Sequence, residues 1–238
     1  MSECGAPSGC SPRALLWSDV SASWNGIEHR SSRAVGIRSC RVLLDWQSGW
    51  MGRLPDEIAT RRLRLRLWRP DDVPALRAAI EASLDHLRPW LAWVPFEPVS
   101  DEDRTRFIVA SNEHWEQGGD AAYGVFRDGV VVGGCGLHHR WGPNTLDLGY
   151  WVHVEHIGQG YAQELARGLT EAAFGVKGID RVEIHHDKAN ERSRAVPMAL
   201  GFVRGPEQPD GVGSPGDVGI DCTWSISRSQ WTARHRRS

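Results

Sequence analysis

The residues best suited to chemistry sit in one run, Tyr150-Trp151-Val152-His153-Val154-Glu155-His156-Ile157-Gly158-Gln159-Gly160-Tyr161-Ala162. It reads as a strand, a short glycine-spaced loop and a helix start. Glycine lets the backbone approach an anion closely, and the unpaired amides at a helix N-terminus then point at it. Such a site suits a pyrophosphate. A dinucleotide fingerprint would need G-x-G-x-x-G, but Gln163 stands at the third glycine position. Asp180 does follow Gly160 at the distance where a ribose-binding acid is sought. The strand before the loop, however, belongs to an antiparallel meander and not to a parallel βαβ unit. The G-x-x-x-x-G-K-[ST] pattern of a P-loop is absent. Taken alone, a G-x-G is also the signature of a tight turn.

A second block follows, Asn190-Glu191-Arg192-Ser193-Arg194-Ala195-Val196-Pro197-Met198-Ala199-Leu200-Gly201-Phe202. With the glycine loop it resembles the GNAT superfamily of acyl-CoA-dependent N-acetyltransferases, and within it the RimJ/RimL type that acetylates ribosomal-protein N-termini. The resemblance runs from Ile58 to Trp231 and includes Arg61-Arg62-Leu63-Arg64-Leu65, Leu87-Arg88-Pro89-Trp90 and Leu148-Gly149-Tyr150-Trp151-Val152. One position departs from the family's Arg/Gln-x-x-Gly-x-Gly/Ala loop. Ile157 stands where the Arg or Gln belongs, while Gly160 and Ala162 match.

The resemblance implies an α/β (α+β) fold, with a mixed, mostly antiparallel sheet, one splayed strand pair and flanking helices. It implies acetyl-CoA as acyl donor and a primary amine as acceptor, with the amine attacking the thioester directly in a ternary complex. The strand ending at Val154 and the strand from Ile179 would part, and the pantetheine arm would pair with the backbone of Trp151, Val152 and Val154. Gly158, Gln159, Gly160, Tyr161, Ala162 and Gln163 would hold the pyrophosphate. Asn190 and Ser193 would lie on the pantetheine side. A backbone N–H near Val152 would polarise the thioester carbonyl. The acceptor implied by the branch is the N-terminal α-amine of a ribosomal protein. A small-molecule amine acceptor and a non-catalytic acyl-CoA-binding module are the competing readings, and a homodimer is the assembly to test.

Among side chains, Ser193 stands where the related enzymes carry a serine near the cofactor sulfur, able to give the departing thiolate a proton. Ser193 is also a plausible helix N-cap, with Pro197 one turn later leaving the Ser193 carbonyl without its helical donor. A base is needed because a protonated amine has no lone pair. His185 and Asp147 are the candidates, each also readable as an ordinary strand residue. Two histidine doublets, His138-His139 and His185-His186, do not suggest a metal, because adjacent strand residues point to opposite faces. Trp90, Trp93 and Trp115 could line an acceptor cleft, yet tryptophans beside helices are more often core.

These groups need a scaffold. Arg62 to Arg69 alternates, Leu63, Leu65 and Leu67 one way and Arg62, Arg64 and Arg66 the other, as in a half-buried strand with a solvated basic face. Pro70-Asp71-Asp72 turns the chain into a helix with the stripe Val73, Leu76, Ile80, Leu84 and Leu87. Ser100-Asp101-Glu102-Asp103 opens a second helix that ends at Gly118-Gly119. A meander follows: Ala121 to Arg127, the turn Asp128-Gly129, Val130 to His139, the turn at Gly142 to Thr145, and Leu146 to Val154. Then come a helix from Gly160 to Val176, a strand from Ile179 to His186, a helix from Glu191 to Leu200 and a strand from Phe202. Pro206 to Gly219 reads as a loop, Ile220 to Ser227 as the last strand, and Thr232 to Ser238 as a frayed basic tail.

Composition narrows the class. Hydrophobic residues make up 40% and charged residues 24%, enough for a globular core and against wholesale disorder. A net charge of −2 gives no electrostatic case for a nucleic-acid binder. The longest charge-free apolar run, Gly129 to Leu137, is far short of the roughly 20 residues that span a bilayer. Cys4, Cys10, Cys40, Cys135 and Cys222 are scattered without a C-x-x-C pair, as expected of free thiols in a reducing cytoplasm. The expected organisation is an N-terminal extension over residues 1–53, an acyl-CoA N-acyltransferase domain over 54–231 and a tail over 232–238. The first fifty residues show no sustained period. They read as a loosely attached arm or, preferably, as an upstream extension of the gene model ahead of Met51.

Overall fold

Alternation and helical stripes decide the architecture, and the elements follow them closely. The computed structural model describes residues 52–235, so the expectations for residues up to Met51 and for 236–238 lie outside the described residues. The strands are β1 (Glu57–Ala59), β2 (Arg64–Leu67), β3 (Ala121–Arg127), β4 (Val130–His138), β5 (Thr145–Val152), β6 (Arg181–Asp187), β7 (Val203–Pro209) and β8 (Ile220–Ser227). The helices are α1 (Val73–Leu87), α2 (Asp101–Glu116), α3 (Tyr161–Gly175), α4 (Glu191–Leu200) and α5 (Arg228–His235). All eight strands join one sheet in the order β1-β2-β3-β4-β5-β6-β8-β7. Every neighbouring pair is antiparallel except β5–β6, which is parallel. This is the mixed, mostly antiparallel sheet the resemblance implies.

Two apolar clusters hold the helices to the sheet. One joins Leu146, Leu148 and Ile184 to Leu165, Leu169 and Ala173 of α3 and Val196 and Leu200 of α4. The other joins Val73, Leu76 and Ile80 of α1 and Ile108 of α2 to Phe126 and Val131, with Trp151 packed against it. Successive residues of β5 therefore serve different sides, as the pleat requires. Trp93 and Trp115 are buried core residues, and Trp90 is half-buried. The chain before β1 is part of the packing: the Trp115 indole N–H donates to the Leu54 carbonyl at 2.9 Å, and the Tyr123 hydroxyl to that of Pro55 at 2.7 Å.

Four local readings change. A three-residue strand, β1, precedes β2; it is too short to show a period. The loop expected from Pro206 begins as strand β7, whose prolines are tolerated because β7 is an edge. Thr232 to His235 continue α5 rather than fraying, with Trp231 buried beneath. The arginine face is also not free. Arg62 pairs with Glu164, Arg64 with Glu57 and Arg66 with Asp72.

Candidate active site

The site begins where two strands part. β4 and β5 stay in register from His138↔Asp147 to Gly133↔Val152, whereas β5 and β6 pair only over Thr145↔Arg181, Leu146↔Val182 and Asp147↔Glu183. Beyond that point β6 continues with β8 as far as Asp187, and β5 loses its neighbour. The His153 N–H donates to the Val132 carbonyl at 2.9 Å, so alternation turns the amides of Val152 and Tyr150 away from β4, into the fork. Trp151 faces β4 with its backbone. Val154 is also not on the fork. The strand stops at Val152, Val154 to His156 form a 3₁₀ turn, and the Val154 N–H donates to the buried Ser83 hydroxyl at 3.1 Å.

The turn leads into the glycine loop. Gly158 (φ 74°) and Gly160 (φ 77°) both take left-handed conformations that disfavour any side chain. A Cβ at Gly158 would meet nothing within 4 Å, and one at Gly160 only Arg62 Nη2 at 3.5 Å. That open cradle, with the first amides of α3 (Tyr161, Ala162, Gln163) at its rim, fits a pyrophosphate. Gln159 reaches back to the Glu155 carbonyl at 3.3 Å. The Tyr161 side chain is not available: it is buried, and its hydroxyl is held by Arg127. Ile157 brings no charge to the loop, but Arg62 does. Its Nε donates to Glu164 at 2.6 Å, its guanidinium lies 4.7 Å from the Tyr161 ring centroid, and its Nη2 borders Gly160.

On the α4 side, Asn190 is the N-cap: its Oδ1 accepts from the Ser193 N–H at 3.1 Å. Ser193 therefore sits in the first turn and is not the cap, which leaves its hydroxyl for other work. That hydroxyl lies 3.2 Å from the Tyr150 hydroxyl, which also donates to the Ser193 carbonyl at 3.3 Å. Burial pushes Tyr150 up to about 12. In the sequence, Tyr150 reads as a strand residue with no role of its own. The missed signal is its place two residues from Val152 on the strand face turned to α4.

The opposite face carries a charged cluster. His185 Nδ1 lies 3.0 Å from Asp221 Oδ2, and Nε2 lies 3.4 Å from Glu183 Oε2. Thr223 donates to Asp221 at 2.8 Å, and the Trp141 ring stacks on the imidazole with centroids 4.9 Å apart. Asp147 sits across from Glu183 and accepts from Arg140 at 3.2 Å. A Cβ at Gly149 would meet nothing within 4 Å, so space remains along β5 beyond Asp147. Burial alone would lower the imidazole, but hydrogen bonds to Asp221 and Glu183, with the charge of Asp147, push it up to about 9. Burial raises Glu183, and the hydrogen bond and charge of His185 outweigh that and hold it low. The two sequence candidates, His185 and Asp147, thus share one cluster, while Ser193 and Asn190 lie with α4. Glu183 was legible from its i−2 spacing to His185; Asp221, on another strand, was not.

Asp187 closes the end of the fork. Its carboxylate accepts from the backbone N–H groups of Ala189, Val218, Gly219 and Ile220 at 2.8 to 3.2 Å. This pins the β7–β8 loop, whose Gly216 N–H in turn donates to the Pro89 carbonyl at 2.9 Å. The rest of the two histidine doublets is held structurally: His138 and the His139 backbone N–H meet Asp120, and His186 lies between the Asp187 carbonyl and Trp224. Among the described residues, no helix is long and apolar enough to cross a membrane.

Comparison with known proteins finds relatives in sequence and in fold. YdaF of Bacillus subtilis (strain 168), provisionally named a ribosomal N-acetyltransferase, is 27% identical over 170 residues, covering 71% of this chain and 93% of YdaF. Two solved structures share the fold. RimL, the ribosomal L7/L12 alpha-N-protein acetyltransferase in complex with coenzyme A, superposes with a TM-score of 0.65 at 20% identity, covering 74% of this chain and 98% of that one. Mycobacterium smegmatis RimJ, in complex with CoA-disulfide, gives 0.66 at 21% identity, covering 76% and 93%. Residues 62–203 match the Acetyltransferase (GNAT) domain. That match takes in more than half of the sequence, and the chain belongs to the GNAT acetyltransferase family.

Proposed function

We propose that this chain transfers the acetyl group of acetyl-CoA to a primary amine, the N-terminal α-amine of a protein, by direct attack in a ternary complex. The observation that carries the reading is the fork between β5 and β6 opening beside the glycine cradle of α3. The amides of Tyr150 and Val152 offer a strand edge for the pantetheine amides and one donor for the thioester oxygen. Gly158, Gln159, Gly160 and the amides of Tyr161, Ala162 and Gln163 take the pyrophosphate, with Arg62 replacing the charge that Ile157 lacks. Asn190 shapes the α4 side, and Ser193 serves the leaving sulfur. The relationship to YdaF, provisionally named a ribosomal N-acetyltransferase, supports a ribosomal acceptor.

The proton acceptor belongs to the cluster around His185. At about 9, His185 is mostly imidazolium at neutral pH, so it accepts a proton only in its minor neutral form. If it is the base, kcat/KM rises with pH until about pH 9. If Asp147 takes the proton through water, His185→Gln leaves that profile in place. Asp147, Glu183 and Asp221 are balanced by the His185 imidazolium, Arg140 and Arg181, so the cluster gives no electrostatic preference for a cationic small-molecule acceptor such as a polyamine over a protein N-terminus. Calorimetry of acetyl-CoA with the full chain comes first; no binding at millimolar donor ends the reading. CoA release would then be followed with peptides bearing a free N-terminal serine or alanine, the same peptides N-terminally blocked, and polyamines. Turnover only with free N-termini supports the proposal, and turnover only with polyamines replaces the acceptor. Binding without turnover on the whole panel makes the chain an acyl-CoA-binding module.

A further inference from the structure

The Tyr150–Ser193 contact joins the two arms of the fork, yet neither the reaction nor the packing explains why a hydroxyl is placed there. Phenylalanine would fill the same space. The reason lies four residues along α4. In a regular helix the Ser193 carbonyl would accept from the N–H of residue 197, but that residue is Pro197 and has no N–H. The freed carbonyl is met by the Tyr150 hydroxyl at 3.3 Å, and the Ser193 hydroxyl lies 3.2 Å from the same oxygen. Both distances are at the long end for hydroxyl donors, as when one hydrogen is shared between two acceptors.

We propose that Tyr150 is the positioning residue for Ser193: its one hydrogen is shared between the Ser193 carbonyl and Ser193 Oγ, which leaves the serine's own hydrogen for the departing sulfur. The inference rests on the reading of Ser193 given above. The opposite polarity, serine donating to tyrosine, would turn the only useful hydrogen away from the fork. Burial holds the phenol in its protonated form far above neutral pH, so its role as donor does not change over the working range. In the transfer step the amine nitrogen forms the C–N bond, and the C–S bond breaks with its electron pair on sulfur. The Ser193 hydroxyl donates a hydrogen bond to that sulfur as charge develops. The thiolate then takes its proton from water, the amine gives its own to the base, and Tyr150 keeps its proton throughout.

The test needs no acceptor, because free CoA reports on the same hydrogen bond. Ultraviolet absorbance of the thiolate, followed against pH, gives the thiol pKa of CoA bound to the full chain. A donor aimed at sulfur sets this pKa below that of an ordinary thiol, about 8.5. Ser193→Ala is expected to raise it by about one pH unit, and Tyr150→Phe by a similar amount. The double variant should rise no further than Ser193→Ala alone, since Tyr150 acts only through the serine. Pro197→Ala returns an N–H to the Ser193 carbonyl, leaves the Tyr150 hydrogen wholly to Oγ, and should hold the thiol pKa level or lower it.

An unchanged pKa in Tyr150→Phe, additive effects in the double variant, or a rise in Pro197→Ala would overturn the proposal while leaving the donor site intact. An unchanged pKa in Ser193→Ala would remove Ser193's role, and this proposal with it. CoA that fails to bind the unaltered chain would remove the donor reading itself. Should Tyr150→Phe not fold, the Ser193→Ala and Pro197→Ala measurements decide the matter between them.

Discussion

Replacing His185 by glutamine tests the charged cluster directly. In the folded chain His185 is held at about 9 against 6.5 for an ordinary imidazole. At about 1.4 kcal/mol per pH unit, that difference corresponds to about 3 kcal/mol of stability. The side chain is 12% exposed, so solvent screens little of it. The sign follows from a pKa raised on folding. The contribution is full below about pH 6.5, declines as pH rises, and is gone above about pH 9. His185→Gln should therefore lose about 3 kcal/mol relative to the unaltered chain near pH 6, less whatever a carboxylate recovers by taking up a proton. Near pH 10 only the smaller loss of stacking on Trp141 should remain. Urea unfolding at both pH values measures the gap, and for a domain of this size it should appear as a Tm difference of about 6 to 12 °C near pH 6. A gap that is the same at both pH values, or that widens with pH, would show that His185 is not the cation holding Asp221 and Glu183.

Asp187→Asn should destabilise the chain by about 2 to 4 kcal/mol, because an amide turns a donor toward backbone N–H groups that the carboxylate now satisfies; hydrogen exchange localised to Val218–Ile220 would confirm the mechanism. Arg62→Ala should weaken CoA binding about tenfold and flatten its salt dependence, measured by calorimetry at two ionic strengths. Gly160→Ala forces a side chain to φ 77° and should cost about 1 to 2 kcal/mol, with CoA affinity falling alongside. A chain begun at Met51 keeps the contacts of Arg53 and Leu54 with Trp115. It should melt within about 5 °C of the full chain and bind acetyl-CoA equally well.

Local order in the sequence determined the element types. Period-two alternation on the meander strands and the apolar stripes of α1 and α3 follow from backbone geometry, which repeats every few residues and needs no distant partner. The glycines at 158 and 160, and the carbonyl freed by Pro197, are likewise local facts, readable before any fold is known. Tertiary structure decided which of these features share a site and in what charge state. The fork exists because β5–β6 pairing ends at Asp147↔Glu183, and no period within either strand marks that end. The imidazole of His185 is held up to about 9 because β8 brings Asp221 from 36 residues away to join Glu183 and Asp147. Arg62 comes to border Gly160 because it is bound to Glu164 across 102 residues. A periodic pattern records which face a side chain takes; its partners, and so its burial and proton affinity, come from the chain segment that happens to lie opposite.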